Sequence, residues 1–242
     1  MAGYPLLIGL TGSIGMGKST AARFMAREGW RVFDEDQAVH RLMAPGGQAV
    51  APLAALFPAA LTKNDQGLGF INRAVLRAHI AENPEDIPQL ESILHPLVRQ
   101  DQHRARALAS KGRCKGLVLD IPLLFETNGD QRCDIVVVVT APAQVQRSRV
   151  LRRTGMTDQA FGTLMAKQMP DREKRRRADL VINTGLGHRR ARQQVRRGLA
   201  ELTQASQRGH RRRATFHPPL FGPENPRRWT PKRQARQYGG CR

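Results

Sequence analysis

The chain has 242 residues, enough for one complete α/β domain with a substantial core. Its cysteines, Cys114, Cys133 and Cys241, are odd in number and lack metal-ligand spacing, and no stretch approaches the roughly 18 apolar residues of a membrane span. The formal net charge of +20 favours an anionic partner such as nucleic acid, nucleotide phosphates or a membrane surface. We therefore expect a reduced, cytoplasmic protein without a membrane anchor.

Apolar runs and helix-like segments alternate along the chain from its start to about residue 202. The predicted strands are Leu6–Leu10, Trp30–Asp34, Gly116–Asp120, Asp134–Thr140 and Leu180–Asn183. The predicted helices are Ser19–Glu28, a mostly helical stretch over about 71–110, Pro142–Arg153, Asp158–Met169 and Arg189–Leu202. This alternation predicts an α/β fold with a mostly parallel sheet flanked by helices.

A glycine-rich motif follows the first predicted strand and opens the first helix. Residues 12–19 fit the pattern G-x-x-x-x-G-K-[ST], in which backbone N–H groups and the helix N-terminus bind phosphate oxygens. Lys18 would reach the β- and γ-phosphates, and the Ser19 hydroxyl would bind Mg²⁺. The predicted ATP-binding residues of this P-loop are Gly12, Ser13, Ile14, Gly15, Met16, Gly17, Lys18, Ser19 and Thr20.

The second predicted strand ends in acidic residues, which favours a kinase among the P-loop proteins. No Asn-Lys-x-Asp guanine-reading element is present, since residues 63–65 have the wrong order and lie in a polar turn. Asp34 lies at the carboxyl edge of a parallel sheet, where it would accept the proton of an attacking hydroxyl. Capping of the next helix and Mg²⁺ binding are the alternative roles. Asp120, at the end of the third strand, is a second candidate for the metal.

Two arginines follow the fourth predicted strand. Arg149 and Arg153 are four residues apart, so on one helix they would share a face and clamp phosphates during transfer. A solvated basic face is the alternative reading of this spacing.

The last part of the chain has a different composition. From Gln207 to Arg242 there are ten Lys/Arg and a single acid, Glu224, with many prolines and no apolar periodicity. Such a segment buries too little apolar surface to fold, which predicts a basic, disordered tail over 206–242. Its function is open between polyanion binding and a tolerated extension.

Several motifs, taken in order, resemble the dephospho-CoA kinase family. The matching segments are 9–12 with 18–20, Asp34-Glu35-Asp36, Arg41, Pro45-Gly46, 72–73 with 76–77, 94–99, Ile121–Glu126, Arg149 and Arg153 with 155–157, Lys167-Gln168 and 178–183. The resemblance runs from about residue 6 to 199 and implies a kinase that uses ATP and Mg²⁺ to phosphorylate the ribose 3′-hydroxyl of dephospho-CoA. It also implies a kinase domain over 1–205, with a helical CoA-binding subdomain at about 65–112 and a lid at about 149–178.

The resemblance supplies candidate roles for further residues. The implied catalytic residues are Asp34, Lys18, Arg149 and Arg153. Asn183 is implied to bind ATP, on the loop beside its adenine. The implied substrate-binding residues are Thr11, Asp34, Asp36, Arg41, His95, Leu123 and Phe125. Read without the resemblance, His95 is more often structural and the apolar run 122–125 would be core. No oligomer is required. The alternatives are another nucleoside or small-molecule kinase and a nucleic-acid-binding ATPase that uses the tail.

Overall fold

The computed structural model describes residues 5–112 and 114–208. Within these ranges the strands are β1 (Leu6–Thr11), β2 (Arg31–Asp34), β3 (Leu61–Lys63), β4 (Gly69–Ile71), β5 (Gly116–Asp120), β6 (Ile135–Thr140) and β7 (Leu180–Asn183). The helices there are α1 (Lys18–Arg27), α2 (Glu35–Met43), α3 (Val50–Leu56), α4 (Arg73–Glu82), α5 (Ile87–Lys111), α6 (Ala143–Leu151), α7 (Asp158–Ala166), α8 (Asp171–Arg177) and α9 (His188–Arg208).

Five of the described strands form a parallel sheet. Its five strands have the order β2-β5-β1-β6-β7, and helices flank it. Every residue of β5 and β6 is buried, as expected for strands that are covered on both faces. The predicted fold class is therefore confirmed, and all five predicted strands are present.

The described chain divides into two compact units. Among the described residues, the first comprises Pro5 with 31–112 and 114–121, and the second comprises Leu6–Trp30 with 122–208. In the first unit β2 pairs with β5, and α5 packs against α2 and both strands. A two-stranded antiparallel sheet, β3 with β4, lies beside α3.

The second unit contains β1, β6 and β7 in parallel register, with α9 packed against α1 and β7. Buried side chains recur along α9 at helical spacing, namely Ala191, Val195, Leu199 and Leu202. This apolar stripe explains why α9 forms although residues 189–197 include five arginines, all of which are exposed.

The structure also contains elements that the sequence did not indicate. They are α3, α8 and the hairpin β3–β4, all of which are too short to show a clear period, whereas α2 is the helix after Asp34 that the capping alternative implied. The stretch predicted as mostly helical over about 71–110 begins with the end of β4 and then divides into α4, a short 3₁₀ turn and α5. The last of these helices does not end at Pro96 but continues to Lys111, because Val98, Ala105 and Ala109 bury its inner face beyond the proline.

Two further sequence expectations are the absence of a membrane span and a basic tail at the end of the sequence. In the described part of the chain, no helix has the length and apolar character needed to cross a membrane. The tail predicted over 206–242 lies outside the described residues, apart from the last turn of α9 up to Arg208.

Candidate active site

The P-loop lies between β1 and α1 in the second unit, as the motif predicts. Gly15 and Gly17 have positive φ values of 78° and 86°, and Gly17 is the N-cap of α1. A Cβ atom on Gly17 would lie 2.8 Å from the Thr184 Oγ1, and one on Gly12 would lie 2.6 Å from the Val139 carbonyl oxygen. Backbone conformation therefore requires glycine at positions 15 and 17, and packing requires it at positions 12 and 17.

Side chains from the second half of the chain bind the P-loop backbone. The Ile14 N–H donates to Gln168 Oε1 (3.1 Å), and Gln146 Nε2 donates to the Ile14 carbonyl (2.8 Å). Thr184 Oγ1 donates to the Met16 carbonyl at 2.6 Å. Sequence reasoning missed Gln146 and Thr184, because their role depends on contacts more than 130 residues away in sequence.

The first turn of α1 presents the hydroxyl predicted to bind Mg²⁺. Ser19 is exposed there, and Lys18 beside it is half-buried. A hydroxyl oxygen is the hard ligand that Mg²⁺ prefers, so the residue present fits the metal. Ser13, by contrast, is buried, and its Oγ has no hydrogen-bond partner among the described residues.

Asp34 is the last residue of β2, in the first unit, and it caps α2. Its Oδ1 accepts the Gln37 N–H at 2.9 Å, so the capping alternative raised by the sequence is realised. Asp34 is half-buried and is the register partner of Asp120, which is almost completely buried at the end of β5. Glu35 turns to a different partner and accepts from Gln102 Nε2 at 2.5 Å. The two strand-end carboxylates thus lie side by side.

The remaining predicted substrate residues differ in exposure. In the first unit Asp36, Arg41 and His95 are exposed. In the second unit Leu123 is 40% exposed, whereas Phe125 is 3% exposed and lies under the guanidinium of Arg177, 5.7 Å from its ring centre. Thr11, also in the second unit, is fully buried and donates its hydroxyl to the Pro122 carbonyl at 2.9 Å.

The two predicted phosphate-clamping arginines do not share a helix face. The helix α6 ends at Leu151, and the Arg153 N–H donates to Val150 rather than to Arg149, so Arg153 lies in the turn beyond the helix. Arg153 is exposed, whereas half-buried Arg149 donates to Thr184 Oγ1 (2.9 Å), to the Thr184 carbonyl (3.0 Å) and more distantly to the Gly15 carbonyl (3.4 Å).

Asn183 ends β7 and shapes the loop that follows. Its Oδ1 accepts the Gly185 N–H at 2.8 Å, and its own N–H donates to Gln194 Oε1 at 2.9 Å. The side chain therefore fixes the turn that carries Thr184.

A buried ion pair joins the loop after β5 to α8. Lys174 is fully buried, and its Nζ lies 2.9 Å from Glu126 Oε1, which also accepts the Met169 N–H at 2.8 Å. Burial opposes ionisation of Glu126, but Lys174 and the Met169 N–H outweigh it and hold the pKa of this carboxyl below its ordinary value. From the sequence alone, Lys174 was one charge in a basic run.

The Glu126→Gln variant is expected to be less stable by about 3 kcal/mol at neutral pH, because it leaves the Lys174 ammonium buried without a counter-charge. Since the pKa of Glu126 is depressed in the folded state, the stabilisation is complete above the unfolded value of about 4.3 and is lost as pH falls through the folded value. Urea unfolding from pH 7 to pH 3 should therefore show wild type and variant converging in acid.

A matched control uses an ion pair on the surface of the same helix. Glu173 pairs with Arg177 at 3.0 Å with both side chains more than a third exposed, so Glu173→Gln should change the unfolding free energy by less than about 1 kcal/mol. Equal effects of the two substitutions would show that the buried pair is no more important than the exposed one.

Comparison with known proteins agrees with this geometry. The family model described as CoaE, dephospho-CoA kinase, matches residues 6–187. A dephospho-CoA kinase of Cereibacter sphaeroides is 47% identical over 202 residues, which cover 84% of this chain and 98% of that protein. A dephospho-CoA kinase of Rhodospirillum rubrum is 44% identical over 213 residues, which cover 88% of this chain and 99% of that protein.

Solved structures give the same picture. TT1252 of Thermus thermophilus is 31% identical with a TM-score of 0.70, covering 83% of this chain and 99% of that one. The dephospho-CoA kinase of Campylobacter jejuni is 21% identical with a TM-score of 0.56, covering 82% and 97%, and this likeness supports the fold.

The parallel sheet, the P-loop between β1 and α1 and these likenesses define the chain as a P-loop kinase. The match spans most of the chain and nearly the whole length of the relatives. The chain belongs to the dephospho-CoA kinase family.

Proposed function

We propose that this chain transfers the γ-phosphoryl group of ATP to the ribose 3′-hydroxyl of dephospho-CoA, the last step of coenzyme A biosynthesis. The observation that carries the proposal is the match of the dephospho-CoA kinase family model to residues 6–187, a span that includes the whole P-loop. The glycine conformations and the braced backbone of this loop support it independently.

The phosphates of ATP would lie on the loop Gly12–Thr20. Backbone N–H groups and the N-terminus of α1 favour negative charge there, and the Lys18 ammonium offsets charge on the β- and γ-phosphates. Ser19 would hold Mg²⁺, which neutralises phosphate charge when it is bound with ATP. Asn183, which orders the turn after β7, belongs to the adenine side in this proposal.

Asp34 would act as the general base. The 3′-oxygen of the substrate attacks the γ-phosphorus, the bond to the β–γ bridging oxygen breaks so that ADP leaves, and the hydroxyl proton passes to the Asp34 carboxylate. Its position at the carboxyl end of β2, where ligands of open parallel sheets bind, supports this role. The capping bond occupies Oδ1 and is compatible with proton transfer to the other carboxylate oxygen.

The substrate and lid residues complete the proposal. Asp36, Arg41 and His95 would bind dephospho-CoA with Leu123, Phe125 and Thr11. Arg153, which is exposed, would approach the phosphates from a lid over about 149–178. Arg149, which contacts the P-loop at the Gly15 carbonyl, would also offset charge on the phosphates during transfer. The helical subdomain at about 65–112 would hold the CoA portion, and lid closure would exclude water and suppress ATP hydrolysis.

Three further expectations stay predictions. The enzyme is expected to work in the cytoplasm and to need no oligomer for activity. The basic segment over 206–242 is expected to be dispensable for catalysis and to add, at most, salt-sensitive adhesion to polyanions.

The assay that tests the proposal measures ADP release from ATP with and without dephospho-CoA. We expect ADP release to require dephospho-CoA, and an analogue with a 3′-deoxyribose to bind without being phosphorylated, because it lacks the attacking oxygen. Equal ADP release with the 3′-deoxy analogue would show that another hydroxyl, or water, is the acceptor. Turnover of unrelated nucleosides at the same rate would point to a different small-molecule kinase.

A further inference from the structure

Three successive carbonyl groups of the P-loop accept hydrogen bonds from side chains outside the loop. The pairs are Ile14 with Gln146 Nε2 at 2.8 Å, Gly15 with Arg149 Nη1 at 3.4 Å, and Met16 with Thr184 Oγ1 at 2.6 Å. The donors come from α6 and from the loop after β7, all within the second unit. The carbonyl side of the loop is thus held from outside along three consecutive residues.

Holding a carbonyl fixes the direction of the next N–H group. In a planar trans peptide the C=O of one residue and the N–H of the following residue point in opposite directions. The bond from Gln146 to the Ile14 carbonyl therefore turns the Gly15 N–H away from α6. In the same way, the bond from Thr184 to the Met16 carbonyl turns the Gly17 N–H to the opposite side.

These bonds act on the glycine peptides, which the other bonds of the loop, such as that from the Ile14 N–H to Gln168, do not hold directly. Gly15 and Gly17 adopt positive φ values and have no side chains of their own, so their peptide planes rotate easily. Gln146 is 4% exposed and Thr184 is 3% exposed, which protects both bonds from competition with water.

Arg149 fixes the direction of the Thr184 hydroxyl proton. A guanidinium can only donate, so in the 2.9 Å contact with Arg149 Nη1 the Thr184 Oγ1 is the acceptor. Two carbonyl oxygens are then within reach of the hydroxyl proton, and that of Met16 at 2.6 Å is much nearer than that of Thr140 at 3.5 Å, so the proton is donated to Met16. Arg149 Nη2 also donates to the Thr184 carbonyl, which holds the whole residue in place.

We propose that Gln146 and Thr184 are positioning residues that hold the P-loop carbonyls outward and so aim the Gly15 and Gly17 N–H groups at the phosphates of ATP. Neither side chain needs to touch the nucleotide. Their contribution is to orient the donors before ATP binds, so that binding and transfer do not have to order the loop. This inference rests on the proposed binding of ATP phosphates to this loop.

The test compares Thr184→Val, which keeps the shape and loses the hydroxyl, with Thr184→Ser, which keeps the hydroxyl. For Thr184→Val we expect the affinity for ATP to fall about 10-fold or more, with a lower kcat. The KM for dephospho-CoA should stay within about 2-fold, and so should the inhibition constant of adenosine, which has no phosphate, measured in competition with ATP at saturating dephospho-CoA. Thr184→Ser should recover most of the ATP affinity.

Gln146→Met provides an independent variant, because it removes the donor to Ile14 while keeping a long, buried side chain. Its affinity for ATP should fall as that of Thr184→Val does, while its affinity for adenosine stays nearly unchanged. The proposal is overturned if both folded variants bind ATP with normal affinity, or if their affinity for adenosine falls as much as their affinity for ATP. It is equally overturned if the ATP affinity of Thr184→Ser is as low as that of Thr184→Val. It is also overturned if neither Thr184→Val nor Gln146→Met folds, since their role is then structural.

A Lys18→Ala protein separates this inference from the proposed function. If Lys18→Ala is inactive while Thr184→Val is normal, the loop binds phosphate but needs no positioning by Thr184. If Lys18→Ala transfers phosphate normally, the proposed function of the loop is itself wrong.

Discussion

A protein in which Lys18 is replaced by alanine is expected to lose phosphoryl transfer by at least about 10³-fold while it keeps its fold. Charge accumulates on the phosphoryl oxygens during transfer, and the Lys18 ammonium is the cation that the P-loop pattern supplies there. Lys18 is half-buried at the start of α1 and is not part of the apolar core, so its loss should leave the structure intact. Steady-state ADP release and thermal unfolding would be measured on the same preparation.

Lys63→Ala is the matched control, because it removes the same charge from the exposed strand β3. Its turnover should remain within about 2-fold of wild type. A folded Lys18→Ala protein with near-normal turnover would contradict the assignment of the P-loop as the phosphate site.

The Asp34→Asn variant is expected to lose about 10²-fold or more in kcat, with little change in ATP affinity. Asparagine keeps the shape of the side chain and cannot take up the hydroxyl proton. It should still cap α2, because its Oδ1 can accept the Gln37 N–H as Asp34 does now. Asn72 already caps α4 in this way, accepting from Ala74 at 3.0 Å and Val75 at 3.3 Å.

Capping and catalysis can thus be separated at one position. Asp34→Ala should lose the cap and about 1 kcal/mol of stability in addition to the activity, whereas Asp34→Asn should lose activity alone. Asp65→Asn, in the exposed turn between β3 and β4, should change neither quantity. If Asp34→Asn keeps its turnover within a few-fold of wild type, Asp34 is not the base and its role is to cap α2.

The features that the sequence predicted correctly are those that a short stretch of chain encodes by itself. The continuous apolar runs of β5 and β6 and the glycine pattern before Lys18 are local signals, and each is found in its predicted place. The order of these motifs along the chain indicated the family, and the match of the family model confirms that family.

The features that the sequence could not predict depend on partners distant in the chain. Nothing near Lys174 shows that it would be buried, because the counter-charge on Glu126 lies 48 residues earlier. Thr184 is an ordinary residue until β7 places it beside Met16. For Arg149 and Arg153, helical spacing was misleading because α6 ends before the second arginine.

The division of the second unit into two separated segments has a consequence for synthesis on the ribosome. The P-loop ends at Thr20, yet β6, Gln146 and Thr184, which pair with β1 or hold the loop, follow it by more than 110 residues. At a translation rate of about 5–20 residues per second, synthesis of Thr184 follows synthesis of the P-loop by on the order of 10–30 s. Until then β1 lacks its partner strand β6 and the loop lacks two of the bonds that hold it, so we expect nucleotide to contribute little to the early stages of folding.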